Sequence, residues 1–354
     1  MSEREGGVDR AWLKRLTEAP SVGTACGPVL AVLEERFGAG WRMTLAQDGF
    51  ALFTRADAEP EALEVVMVAH VDEIGGCVYG ARADGGFETR CWGNAPAVFA
   101  GAELQAFDWL AGADPDAGPV RAHVVTEGED ERLALTGERI RPYRTAWTFR
   151  EETTFGDGFV EGKALDPRAT VYAVAEAVRA IGDGRVGALF VMAEECAMDL
   201  ARKAAAYLQA RCPRLRLVAN ADVPAVRNLG DARLDMPAIR VFEGRSFVDP
   251  SFGIQAAERL GELGGVLHLS AARSGSQTYW FTPLASTLSV ALPAEGVHLP
   301  RARASLLGIA RCADLLTLAA RATLDGRLVV PAGSAGSARR LWAGRGATVR
   351  TVVP

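Results

Sequence analysis

Histidine is scarce in this chain, and its position relative to carboxylates is the first clue to chemistry. The four imidazoles are His70, His123, His268 and His298. His70 closes an apolar run at 63–69, and Asp72 follows two residues later. The run 186–192 leads, after Ala193, into Glu194-Glu195. The run 215–219 leads into Asn220-Ala221-Asp222, and 284–292 leads into Glu295 and His298. Asp166 stands just before a helical pattern. Imidazole with Asp and Glu, without cysteine, suits a catalytic zinc or cobalt site better than a structural one. Two such ions need a bridging carboxylate, roughly two more protein ligands each and an open position for water. His70, Asp166, Glu195, Asp222 and His298 meet that count. Glu194 is left beside a ligand and is the candidate general base that takes a proton from the attacking water.

Taken singly, each residue has a plainer reading. A strand-end His is often just hydrogen-bonded, a Glu pair is usually solvated, and an Asp before a helix is often an N-cap. The joint arrangement carries the metal reading. His123 and His268 fall in strand-like segments and read as structural. The six cysteines contain no Cys-x-x-Cys pair and read as reduced core or surface residues.

The elements that must position these groups alternate between strand and helix. Nearly continuous apolar runs of strand length at 63–69, 186–192, 215–219 and 284–292 suit strands buried on both faces. Helical patterns fall at 11–19, 28–37, 169–181, 199–211, 253–263 and 302–321. Strands are expected at 43–54, with a turn at Gln47-Asp48-Gly49, and at 239–242. This order predicts an α/β fold with a mainly parallel sheet flanked by helices. Ligands in such sheets bind beyond the carboxyl ends of the strands, where the candidate residues fall. The stretch 76–162 is different: it is rich in Gly, Thr and Arg, alternates in short runs and lacks helical periodicity. It reads as an inserted small β-barrel-like domain. The expected division is a catalytic domain at 1–75 and 163–323, the β insertion at 76–162 and a C-terminal extension at 324–354.

The net charge of −5 argues against a nucleic-acid partner, and no apolar run of about eighteen residues could span a membrane. The polar start, residues 1–10, does not resemble a secretory signal, and the expected location is cytoplasmic.

The motifs resemble those of the co-catalytic metallo-aminopeptidases of metallopeptidase family forty-two, which include the tetrahedral, glutamyl and deblocking aminopeptidases. The resemblance spans about 16–321. Leu16-Thr17-Glu18-Ala19-Pro20-Ser21 resembles the family opening, and Ala69-His70-Val71-Asp72-Glu73-Ile74-Gly75 its first metal motif. Lys163-Ala164-Leu165-Asp166, with Arg168, resembles the second, and Glu194-Glu195 the third. Asp222, the stretch 240–250 and His298 resemble the remainder. The resemblance implies two divalent ions, zinc or cobalt, with His70, Glu195, Asp222 and His298 as terminal ligands and Asp166 bridging. It implies Glu194 as general base and Asp72 as the carboxylate behind His70. It implies release of an N-terminal amino acid from small peptides, and a homo-oligomer, from a dimer to a dodecamer, built through the β insertion.

The chain also departs from the family. Asp166-Pro167 replaces the usual Asp-Asp, and the peptide bond there is expected to be cis. Glu-Glu-Val-Gly becomes Glu194-Glu195-Cys196-Ala197. The loop near the substrate pocket becomes Gly275-Ser276-Gln277-Thr278-Tyr279-Trp280, and Gln277, Tyr279 and Trp280 point to an uncharged or aromatic substrate side chain. Glu295-Gly296-Val297 replaces the usual residues before the last His. These changes keep two alternatives open: a specialised amide hydrolase acting on one metabolite or peptide, and a non-catalytic scaffold of the same fold. Glycoside hydrolysis is disfavoured, since adjacent carboxylates at a strand end are expected to point apart.

Overall fold

The computed structural model describes residues 4–328 except 6, 47–48, 111–118, 128–129, 198, 231 and 245–247. The expected turn residues Gln47 and Asp48, and the C-terminal extension from 329 onward, lie outside the described residues.

A hairpin of β1 (Arg4–Glu5) and β2 (Val8–Asp9) opens the chain. Asp9 then caps α1 (Arg10–Glu18) by accepting the Trp12 N–H at 3.1 Å. Next come α2 (Gly27–Phe37), β3 (Trp41–Ala46), β4 (Phe50–Arg55) and β5 (Val65–His70). The insertion holds β6 (Gly75–Ala81), β7 (Phe87–Trp92), α3 (Pro96–Phe99), β8 (Glu103–Asp108), β9 (Pro119–Glu127), β10 (Asp130–Thr136) and β11 (Thr145–Phe149). The chain returns through β12 (Thr154–Gly156), β13 (Phe159–Gly162), α4 (Leu165–Ile181), β14 (Val186–Val191), α5 (Glu194–Ala197) and α6 (Ala201–Arg211). It ends with β15 (Leu217–Asp222), β16 (Ala238–Phe242), α7 (Pro250–Glu262), β17 (His268–Ala271), β18 (Ser286–Ala291), β19 (Ala302–Ser305) and α8 (Leu306–Leu324).

Eight strands form the central sheet in the order β17-β16-β18-β15-β5-β14-β4-β3. The four inner strands β18, β15, β5 and β14 are mutually parallel. Antiparallel pairings join them to the strands outside, so the sheet is mixed around a parallel centre. The apolar run of β5 shows why these strands lack alternation. Val65, Met67 and Ala69 pack into the core beneath α4 and α8, whereas Val66 and Val68 pack into a second core with α6. Both faces are covered, so every position is apolar.

The six strands β6 to β11 close into a barrel in the order β10-β7-β6-β11-β8-β9. Its junction with β5 needs glycine. A Cβ on Gly75 would lie 2.3 Å from the Trp147 carbonyl oxygen, which no side chain could tolerate. Two expectations are corrected here. The segment 154–162 is not a barrel wall: β13 pairs with β19, in a separate three-stranded sheet. Residues 302–305 are strand, not the start of a helix. Ser305 stops the strand and caps α8 by accepting the Gly308 N–H at 3.2 Å.

Candidate metal centre

The four inner parallel strands end side by side, with Val191 paired to His70 and Ala291 to Asp222. Their carboxyl ends deliver His70, Glu194-Glu195, Asp222 and, after a longer connection, His298. Asp166 arrives from the start of α4. Residues with positive φ, costly outside glycine, frame the centre: Ala164 (54°), Ala193 (59°) and His298 itself (65°). Asp166 is extended (φ −87°, ψ 110°) within an otherwise helical segment, and its bond to Pro167 is cis, as expected.

The structure brings all five proposed ligands together, with Glu194 and Asp72. Asp166 stands between the two imidazoles. Its Oδ1 is 3.0 Å from His70 Nε2, and its Oδ2 is 3.4 Å from His298 Nε2. Asp222 Oδ1 lies 3.6 Å from His70 Nε2, and Glu195 Oε1 lies 3.0 Å from His298 Nε2. Three overlapping groups result: His70–Asp166–Asp222, Asp166–Glu195–His298 and His70–Glu194–Glu195. Within each, one atom per residue lies within 4.8 Å of the others. Asp72 sits behind them. Its Oδ1 is 3.5 Å from His70 Nδ1, while its two oxygens accept the backbone N–H groups of Glu194 (2.9 Å) and Glu195 (3.1 Å). One buried carboxylate thus ties the end of β5 to the turn after β14.

Glu194 and Glu195 do not diverge as expected of neighbours on a strand. The left-handed Ala193 turns the chain into α5, and both carboxylates reach the same imidazole.

The charges are poorly balanced. Burial alone would push the His70 imidazole down, but Glu194, Asp166, Asp222 and Asp72 together raise it well above the ordinary value. Burial likewise opposes His298, yet Glu195 and Asp166 push it up to about 11. Burial, then the neighbouring Glu195, Asp222 and Asp166, raises Glu194 well above the usual carboxylate range, against the pull of His70. Burial would raise Asp222 too, but His70 and Arg240 hold it below the usual range. Five carboxylates face two imidazoles and one guanidinium. Donor type and spacing fit divalent cations.

Several supporting residues carried no sequence assignment. Arg240 is fully buried and donates to Asp222 Oδ2 at 3.0 Å and to Ser289 Oγ at 2.8 Å, and it lies 3.1 Å from Glu243. A second buried ionic group braces the first two motifs. Glu73 accepts from Lys163 Nζ, from the Ser21 N–H at 3.2 Å and from Thr148 Oγ at 2.8 Å. Arg168 donates to the carbonyls of Leu16 (2.9 Å), Ala19 (3.2 Å) and Val71. From the barrel, Asn94 Nδ2 donates to the His298 carbonyl at 2.7 Å. The available signal was a charged residue beside each ligand in an otherwise apolar segment, since a buried charge needs a partner.

The loop 275–280 borders the cleft at Gly275, but its larger side chains are turned elsewhere. Gln277 is buried and donates to Asn220 Oδ1 at 3.0 Å, and Ser276 and Thr278 bond to Glu243. Trp280 packs against the α6 side of the sheet. Gln277, Tyr279 and Trp280 are not among the cleft walls. A cleft of about 220 Å³ opens over the carboxylates, walled by Val223, Pro224, Ala225, Arg227, Asn228, Ser274, Gly275 and Val297.

No family model matches the chain, and no curated protein matches it by sequence. Solved structures do. The TET1 peptidase of Pyrococcus horikoshii, which can assemble into a tetrahedron or a large octahedral shell, superposes with a TM-score of 0.72 at 16% identity, covering 87% of this chain and 98% of that one. Aminopeptidase APDkam598 of the archaeon Desulfurococcus kamchatkensis gives 0.70 at 15% identity, covering 87% and 93%. A structure from Thermotoga maritima described as an endoglucanase gives 0.63 at 15% identity, covering 86% and 95%. Over most of its length, then, the chain has the fold of the TET aminopeptidase structures, an α/β sheet domain carrying an inserted β-barrel.

Proposed function

We propose that this chain is a two-metal aminopeptidase that removes the N-terminal residue from small peptides. One observation carries the reading: the two oxygens of Asp166 face different imidazoles, dividing the ligands into two sets that share one carboxylate. In this reading His70 and Asp222 complete one set, and Glu195 and His298 the other. Two bound ions, zinc or cobalt, would supply Lewis acidity to the scissile carbonyl and acidify the attacking water.

The chain's own groups do the rest. Asp72 holds His70 and fixes the α5 turn, so Glu194 and Glu195 keep their places while charge moves. Among the described residues the Glu194 carboxylate has no hydrogen-bonded partner, and it faces the cleft. It is free to take the water proton and pass it to the departing amine. The cleft opens over the carboxylates, where the N-terminal end of a peptide would enter. The likeness to the TET1 peptidase supports a homo-oligomer, and the motif resemblance points to the barrel as the part that joins it. Six free cysteines, and no described helix long and apolar enough to cross a membrane, are consistent with a cytoplasmic location.

The endoglucanase likeness raises glycoside hydrolysis again, and Glu194 and Glu195 do converge. Glu195, however, is engaged by His298, so it is not free to act on a sugar. Metal content and hydrolysis of an aminoacyl-amide panel, wild type against Glu194→Gln, test the proposal. About two ions per chain, with activity lost and ions kept in the variant, support it. Two ions with no aminoacyl hydrolysis favour the specialised amide hydrolase, and no ion after reconstitution favours the scaffold.

A further inference from the structure

Arg227 is the one guanidinium among the described residues that line the cleft; the charged groups facing it there are Asp166, Glu194, Glu195, Asp222 and His298. The backbone that carries it is anchored, while the side chain is exposed. Pro224 stiffens the chain after Asp222, and Ala225 forms a β-bridge with Ala294. The Val226 N–H donates to the Ala294 carbonyl at 2.8 Å, and the Asn228 N–H donates to the Ala225 carbonyl at 2.8 Å. The single 3₁₀ turn Val226–Asn228 is therefore anchored to the connection that leads to His298. Its guanidinium has no hydrogen bond or ion pair with any described residue, although acidic side chains are plentiful on this rim.

A cation that pairs with none of those acids is available to a ligand. With two divalent ions in place, the four cleft carboxylates are matched in charge, and Arg227 is the surplus positive group. Guanidinium presents a planar fork of donors that fits a carboxylate. We propose that Arg227 is a specificity residue that receives a carboxylate of the substrate, in the cleft that it lines together with the candidate metal ligands. The proposal rests on the peptidase reading for the scissile bond. The carboxylate has two sources: an acidic side chain, or the free C-terminus of a dipeptide. Asn228 and Ser274, beside it on the cleft wall, supply further polar groups for the same end of the substrate.

The experiment compares the zinc-loaded full chain with Arg227→Gln and Arg227→Lys on matched pairs. Ala-Ala against Ala-Ala-amide tests the C-terminal source, and Glu-amide against Gln-amide tests the side-chain source. A charged fork-to-carboxylate contact predicts a preference of about tenfold to a hundredfold in kcat/KM for the carboxylate member of one pair. Arg227→Gln should collapse that ratio to near one, acting mainly through KM, and Arg227→Lys should restore part of it. The same pairs are titrated calorimetrically against Glu194→Gln, with and without Arg227→Gln, so binding is read without turnover. If wild type hydrolyses none of these peptides, the peptidase reading fails while the binding arm still judges Arg227. If neither pair shows a preference, or the ratio survives Arg227→Gln, the Arg227 proposal is overturned and the peptidase reading stands.

Discussion

The guanidinium of Arg240 donates to Asp222 Oδ2 at 3.0 Å, while Oδ1 of the same carboxylate faces His70 Nε2 at 3.6 Å. Asp222 thus has one oxygen committed to the protein and one turned to the centre. Arg240 also serves Glu243, which anchors Ser276 and Thr278. Replacing Arg240 with Met takes the guanidinium away from two buried acids, Asp222 and Glu243. Truncating one partner of a buried ionic group costs about 3–5 kcal/mol. The expected result is a denaturation midpoint shifted down accordingly, together with weaker metal retention. Arg240→Lys keeps the charge but not the fork, and should lose less. An Arg240→Met variant of wild-type stability and metal content would refute this role.

Asp72→Asn separates positioning from folding. The amide can still accept one of the two N–H groups of the α5 turn, but its NH₂ faces the other as a second donor. His70 loses the carboxylate behind its Nδ1. Loss of such a partner behind a metal-bound His typically weakens affinity about 10–100-fold. Competition with a chelator should show that loss, with kcat falling even at saturating zinc. Unchanged affinity would mean that Asp72 serves only the backbone of the turn.

The inner strands were legible because both of their faces are covered, which made their sequences continuously apolar, and because each ends at a candidate ligand. The helical start of α8 was misread because Ala302 to Ser305 is too short to display alternation, and its strand character comes from pairing with β13, about 140 residues earlier in the chain. Gly275 does line the cleft, but the polar side chains that follow it looked like pocket groups because their main partners are distant in sequence. Those partners, Asn220 and Glu243, lie more than 30 residues away. Arg240, Lys163 and Arg168 were visible as charges beside motifs, but burial and pairing are properties of the packed chain.

Glu73 and Lys163 make the next test. Both are almost completely buried, and burial pulls the Lys163 ammonium below its ordinary value despite Glu73. Lys163→Met leaves Glu73 with the Arg168 guanidinium at 3.6 Å as its one remaining counter-charge among the described residues, and Glu73→Gln leaves Lys163 without its carboxylate. Each single change should cost about 3–5 kcal/mol. The double variant should recover part of that loss, because neither partner of the Lys163–Glu73 pair is left behind; Arg168, 3.6 Å from Glu73, then keeps only its carbonyl and hydroxyl acceptors among the described residues. Urea denaturation of the four proteins gives the coupling directly. Additive losses would show that the two residues do not act as a pair.

Tyr172 gives a pH dependence away from the metal centre. Its hydroxyl accepts the Asp9 N–H at 2.7 Å, and burial raises the phenol from 10 to about 12. Between those two values the folded chain keeps a proton that the unfolded chain releases. Stability must therefore fall as pH rises through that window, and the contribution is fully present below pH 10. Tyr172→Phe has no proton to lose. Its stability should be lower near neutrality, because the hydrogen bond to Asp9 is gone, and flatter with pH across the alkaline window. Denaturation midpoints at several alkaline pH values compare the two slopes. Parallel slopes would show that another group accounts for the alkaline loss.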